Sequence, residues 1–158
     1  VKRAVLLTLL AAAAAIAVLL VVRHLERPPA GPLEPAWDRQ TCAHCRMHLS
    51  ERPFAAQAHT AGGEVLFFDD PGCLFAWEEA GGAAAAIWFH HLREERWLAG
   101  ADSGFVAAAP TPMGWGLGAV DREEPGAIPV DEARRRVRQR GMPAAPAEGG
   151  GDDGQPAH

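Results

Sequence analysis

Cys42, Cys45 and Cys73 are the three cysteines of this chain. Cys42 and Cys45 stand as Cys42-Ala43-His44-Cys45, a C-x-x-C pair followed by Arg46-Met47-His48. Such a pair can turn two sulfurs onto one ion, and it serves dithiol redox chemistry equally well. Met47 adds a thioether two residues beyond Cys45, and thiolate with thioether is a soft donor set that suits Cu(I) better than Zn(II), Mg or Ca. Met113, in Thr111-Pro112-Met113-Gly114-Trp115-Gly116, lies in a Gly-rich turn where backbone can approach an ion, and a lone Met there is otherwise a packing residue. His48, beside Met47, is the best placed of the histidines as a borderline ligand. Cys73 follows Asp69-Asp70-Pro71-Gly72, which reads as a helix start with Asp70 as N-cap and Pro71 as the first helical residue. Cys73 is then the third residue of the first turn. The helix dipole and free N–H groups there favour a thiolate, as a metal ligand or nucleophile requires. The plainer alternative is a small buried residue facing a sheet.

The elements around these residues read as follows. Phe54–His59 alternates loosely, Val65–Phe68 is an apolar run, and Thr60-Ala61-Gly62-Gly63 joins them as a hairpin loop. The helix opened by Asp70 carries Leu74, Phe75, Trp77 and Glu78 and ends near Gly81. Ala86–His90 is a strand, so the order is β-β-α-β. Phe105–Ala108 and the Gly-rich piece from Gly114 to Val120 add short strands, and Asp131–Gln139 forms a last helix after Pro129. The fold class is α+β: a small domain with β-β-α-β units behind an N-terminal transmembrane helix. Strand order is left open.

That N-terminal helix runs from Ala4 to Val22, with Thr8 as its one polar residue. At about 1.5 Å per residue it reaches roughly 28 Å, close to the hydrocarbon thickness of a bilayer. Lys2 and Arg3 before it favour a cytoplasmic N-terminus and place the rest of the chain on the extracytoplasmic, periplasmic side. A cleaved signal peptide fits less well, because the small residues Ala11–Ala15 lie inside the run and Arg23-His24-Leu25-Glu26 after it is a poor cleavage site. Residues 1–27 are therefore expected to be an anchor, 28–36 a Pro-rich linker, 37–141 the folded domain and 142–158 a disordered tail of Pro, Ala, Gly and acidic residues.

Charge narrows the functions further. Lys plus Arg is 15 and Asp plus Glu is 20, a formal charge of −5 over 158 residues. An acidic chain lacks the surface that phosphate neutralisation needs, and Arg134, Arg135, Arg136, Arg138 and Arg140 cluster without an aromatic stacking platform, so no nucleic-acid partner is expected. No G-x-S-x-G, H-E-x-x-H or P-loop is present, and the Asp69-Asp70 pair is explained by helix capping, so a hydrolase is not indicated.

Read together, Cys45-Arg46-Met47, Phe68-Asp69-Asp70, Cys73 and Pro112-Met113-Gly114 resemble the nitrous-oxide reductase accessory proteins of the NosL type, extracytoplasmic copper chaperones often tethered to the membrane. The resemblance covers about residues 38–140. It implies a β-β-α-β unit, Cu(I) binding through Cys45, Met47 and Met113, and handover to a copper-accepting client metalloenzyme. Arg46 stands where the family usually has Gly, Cys42 is an addition to its pattern, and the anchor is a helix instead of a lipidated Cys. The expected function is accordingly a membrane-anchored Cu(I) chaperone or assembly factor, not an enzyme. Its metal residues are Cys45, Met47, Cys42, Met113, Cys73 and His48, and its partners are a client and a membrane copper-export or assembly protein. Two other readings stand beside it. A thiol–disulfide oxidoreductase would use Cys42 and Cys45, but such a pair usually follows a strand and opens a helix, whereas Pro53 would end any helix within about two turns. A structural zinc site wants four closed ligands, and a second C-x-x-C or a spaced His pair is absent, although three Cys plus one His could still close one.

Overall fold

The computed structural model of the chain describes residues 2–25 and 29–141. The segment 142–158, expected to be a disordered tail, lies outside the described residues. Helix α1 spans Lys2–Leu25. Within it Val5–His24 is a stretch of 20 residues with a mean hydropathy of 3.0 and none of it buried, long and apolar enough to cross a membrane. A signal sequence would share that length and composition. Leu6, Leu9, Leu20 and their neighbours are more than half exposed, so this helix takes nothing from the protein's own core.

The remainder is α+β. Strands β1 (Ala56–His59), β2 (Val65–Phe68), β3 (Ala86–His90) and β4 (Trp97–Ala99) form an antiparallel sheet in the order β2-β1-β3-β4. Helix α2 (Pro71–Glu79) connects β2 to β3, which completes the expected β-β-α-β unit. Strands β5 (Ser103–Ala107), β6 (Leu117–Asp121) and β7 (Ile128–Pro129) form a second sheet in the order β6-β5-β7, and α3 (Val130–Arg140) follows it. The hairpin registers Ala56 opposite Phe68 and His59 opposite Val65. Strand β6 begins at Leu117 and not at Gly114, because Gly114 and Gly116 take the left-handed backbone (φ 68° and 76°) and turn the chain before it.

One apolar core joins the two sheets through α2. Phe89 of the first sheet and Phe105 of the second meet edge to face at 4.9 Å, and Phe75 of α2 lies 5.5 Å from each. Rings at these spacings contribute about 0.5–1.5 kcal/mol per pair beyond the area they bury. Their effect for the site is to fix the axis of α2, and so the position of its first turn. The segment before the domain is also engaged: Leu33 exchanges both backbone hydrogen bonds with the Gln57 side chain, at 2.9 and 3.0 Å.

Candidate metal centre

The C-x-x-C pair sits on a hairpin turn. Asp38 N–H donates to Leu49 C=O, Leu49 N–H to Gln40 C=O and Cys42 N–H to Met47 C=O, with Thr41 bridged to His48. At the tip, Arg46 adopts φ 71°, the left-handed conformation that glycine takes without cost. The departure from Gly at this position therefore leaves the turn in place, with Arg held in it. N–H groups face the sulfurs: Cys45 N–H on the turn and Asp69 N–H at the end of β2 donate to Cys42 Sγ, and Met47 N–H donates to Cys45 Sγ. Ala43 N–H donates to Phe67 C=O at 2.8 Å and pins the turn to the end of β2.

The end of β2 supplies the next wall. Asp70 is extended (φ −147°, ψ 139°) and its carboxylate accepts from Gly72 N–H at 2.9 Å, the N-cap expected from the sequence. The Thr111 hydroxyl and the Met113 N–H also donate to it, the latter at 3.3 Å, which brings the Pro112-Met113-Gly114 loop to the start of α2. Burial outweighs these bonds and pushes the Asp70 carboxyl up to about 6. Trp115 lies over the same turn so closely that a Cβ on Gly72 would be 2.0 Å from its Cγ. Helix α2 starts in a closed environment, with Pro71, Gly72 and Cys73 all buried.

Cys42, Cys45 and Cys73 converge there with Asp69, and their ligand atoms all lie within 4.8 Å of one another. Cys42 and Cys73 are fully buried, while Cys45 is half-buried. All three thiols are free. Asp69 corrects the sequence reading, which attributed both aspartates to capping. Only Asp70 caps. Asp69 is 3% exposed, its Oδ1 accepts from the Cys45 thiol at 3.2 Å, and its Oδ2 is buried with no hydrogen-bond partner. A buried carboxylate oxygen left bare costs about 1–3 kcal/mol or more, and a cation is the partner that such an oxygen fits. The signal available in the sequence was that one helix start uses one cap, so the second of two adjacent aspartates was left over.

The thiols differ in their acidity. The Cys73 thiol donates to Cys42, and that bond holds Cys42 down at about 7 against the opposing effect of burial. Cys73, as the donor, is raised far above the usual thiol range, by that bond first and by burial next. Burial pushes Cys45 up to about 12. The helix start was expected to favour a thiolate at Cys73, but its surroundings raise Cys73 and lower Cys42 instead. Three N–H and S–H donors face the Cys42 sulfur, whereas Cys73 faces two other sulfurs and a carboxylate.

The other residues singled out from the sequence lie around this cluster. Met47 is on the turn, 52% exposed. Met113 is partly buried and packs against the core. His48 is exposed, with its Nδ1 3.1 Å from the Asp38 carbonyl. No helix follows Cys45: residues 43–45 are a turn, and the next helical segment is the single 3₁₀ turn Arg52–Phe54.

No family model matches the chain, and no curated protein matches it. Among solved structures it is similar to the copper chaperone NosL from Shewanella denitrificans, with 16% sequence identity and a TM-score of 0.45, over 70% of this chain and 89% of that one.

Proposed function

We propose that this chain is a membrane-tethered Cu(I)-binding protein with its domain on the extracytoplasmic side, which takes up copper and delivers it to a client metalloenzyme without catalysing a reaction of its own. The observation that carries the reading is the convergence of Cys42, Cys45 and Cys73 within 4.8 Å. Three sulfurs form a soft donor set for Cu(I), and the N–H groups aimed at Cys42 and Cys45 stabilise them as thiolates once a cation replaces their protons. Delivery needs at least one ligand within reach of an acceptor, and half-buried Cys45 with exposed Met47 two residues on meets that need. The C-x-M, F-D-D and P-M-G motifs support the same class, with a nitrous-oxide reductase-like client and a membrane copper-export or assembly partner. Helix α1 would tether the domain. A dithiol oxidoreductase is disfavoured because the C-x-x-C pair lies on a turn and not at a helix N-terminus.

One observation favours a second reading, a structural zinc site. Asp69 supplies the fourth donor that the sequence motifs lacked, and a Cys₃Asp set can close a tetrahedron around Zn(II). An anaerobic Cu(I) competition titration of the reduced full chain in neutral detergent, against a chromogenic chelator and with Zn(II) in parallel, separates the two. Copper delivery expects tight, roughly equimolar Cu(I) binding that survives Asp69→Asn. A zinc staple expects tight Zn(II) binding that Asp69→Asn weakens, together with loss of the fold on chelation. Failure to retain Cu(I) would remove the copper reading.

A further inference from the structure

The surface around Cys45 has a charge pattern unlike the rest of this acidic chain. Arg52, Arg93, Arg96 and Arg134 each pair with a carboxylate, as do Arg135, Arg136 and Arg138. Arg122 and Arg140 donate to backbone carbonyls. Among the described residues 29–141, Arg39 and Arg46 alone have a cationic side chain with no hydrogen bond or ion pair. Both are exposed and both lie on the hairpin that presents the C-x-x-C pair. Asp38, the one acid of this hairpin, stands beside Arg39 at its open end, where its backbone N–H donates to Leu49 C=O, so Arg46 is the charge at the tip and Arg39 adds to it from the open end. His44 and His48 are the other titratable groups of the tip.

The same hairpin is the open side of the cluster. Cys42 and Cys73 are fully buried, so an ion held by the three sulfurs can be approached past Cys45 and not past the other two. Arg46 is held in a backbone conformation that Arg rarely adopts (φ 71°), at a place where glycine would sit without strain, so its side chain is kept at a conformational cost.

We infer that the hairpin tip bearing Cys45, Arg46 and Met47 is the docking face for a copper acceptor, and that this acceptor is a protein whose receiving thiols are ringed by carboxylates. The inference rests on the copper reading above and names the partner's chemistry. In the exchange a first acceptor sulfur bonds copper as the Cys45–copper bond breaks, and a second acceptor sulfur then displaces the sulfurs of Cys42 and Cys73, so that copper leaves on the acceptor. The protons that the acceptor thiols give up pass to the released cysteines of this chain, and copper stays Cu(I). Arg39 and Arg46 contribute by attraction before contact, which acts on the rate of encounter and leaves the affinity for copper untouched.

Two synthetic acceptor peptides sharing one Cys-x-x-Cys, one flanked by four Glu and the other by four Lys, test this with the copper-loaded full chain in neutral detergent, by stopped-flow transfer. At about 0.1 M salt, where charges act over ~10 Å and the hairpin tip outweighs the rest of the acidic chain, transfer to the Glu peptide is expected to be about tenfold faster than to the Lys peptide. At about 1 M salt, where the range falls to ~3 Å, the two rates should converge. The double variant Arg39→Gln/Arg46→Gly should lose the preference with copper affinity unchanged, while Arg46→Lys keeps it. Equal rates at the lower salt concentration, or a preference that persists in the double variant, would overturn the inference while leaving the copper reading standing. A chain that never loads copper in the titration overturns the copper reading instead, and this inference with it.

Discussion

Helices α2 and α3 begin alike and end in different roles. Each follows a strand and each has a proline at its start, Pro71 in α2 and Pro129 before α3. In α3 the first turn carries Asp131 and Glu132, and both are met by the helix's own arginines: Asp131 by Arg134, and Glu132 by Arg135 and Arg136. In α2 the corresponding turn carries no acid, is buried under Trp115, and holds Cys73 at the third position where α3 has Glu132. The first-turn acids of α3 are satisfied within the helix, by arginines three and four residues on, while Arg134 and Arg138 also reach Glu78 and Glu79 of α2. Around the start of α2, by contrast, Asp69 keeps a bare carboxylate oxygen and Cys73 faces the thiols of Cys42 and Cys45. One local device thus gives a solvated face in one place and a candidate ion site in the other, and what separates them is whether the fold leaves donors unpaired.

Substitutions at matching positions can break that contrast. Cys73→Ala should weaken Cu(I) affinity by roughly a hundredfold, about 2.8 kcal/mol, in the competition titration, whereas Glu132→Ala should leave it unchanged. Gly72→Ala should destabilise the fold by about 1–3 kcal/mol in a denaturant titration, because its Cβ would be driven into the Trp115 ring. A midpoint equal to wild type would mean that Trp115 does not roof the α2 start. Met47→Ala sharpens the contrast by asking whether the site extends from α2 onto the exposed turn. Affinity for Cu(I) should fall about tenfold, near 1.4 kcal/mol, with stability unchanged since Met47 is 52% exposed. Unchanged affinity would confine the site to the buried cluster. Asp70→Ala should cost about 1 kcal/mol of stability as a lost cap. The smallest effect belongs to α3, where Glu132→Ala removes exposed ion pairs and should leave the unfolding midpoint within error of wild type.

Much of the first unit was legible because its signals are short-range. The Gly62-Gly63 loop between two apolar runs marked the β1–β2 hairpin, and Asp70-Pro71 marked the start of α2 to the residue. Strand β4 was not legible: Trp97–Ala99 is three residues long, next to Arg93, Glu94, Glu95 and Arg96, and becomes a strand by pairing with β3. Strand β7 is two residues ending in proline, and owes its place to β5. Asp69 escaped for the same kind of reason, since its partner Cys45 is 24 residues away along the chain.

By itself the sequence determined the apolar N-terminal stretch, the capped start of α2, and the C-x-x-C spacing of Cys42 and Cys45. Each follows from the hydrophobicity, conformational preference or spacing of neighbouring residues. The tertiary structure alone decided the order of the strands, the meeting of Cys73 and Asp69 with the C-x-x-C turn, and which thiols are raised and which is lowered. Those depend on which groups lose water together when distant segments pack, and desolvation among buried sulfur and carboxylate is a property of the assembled site.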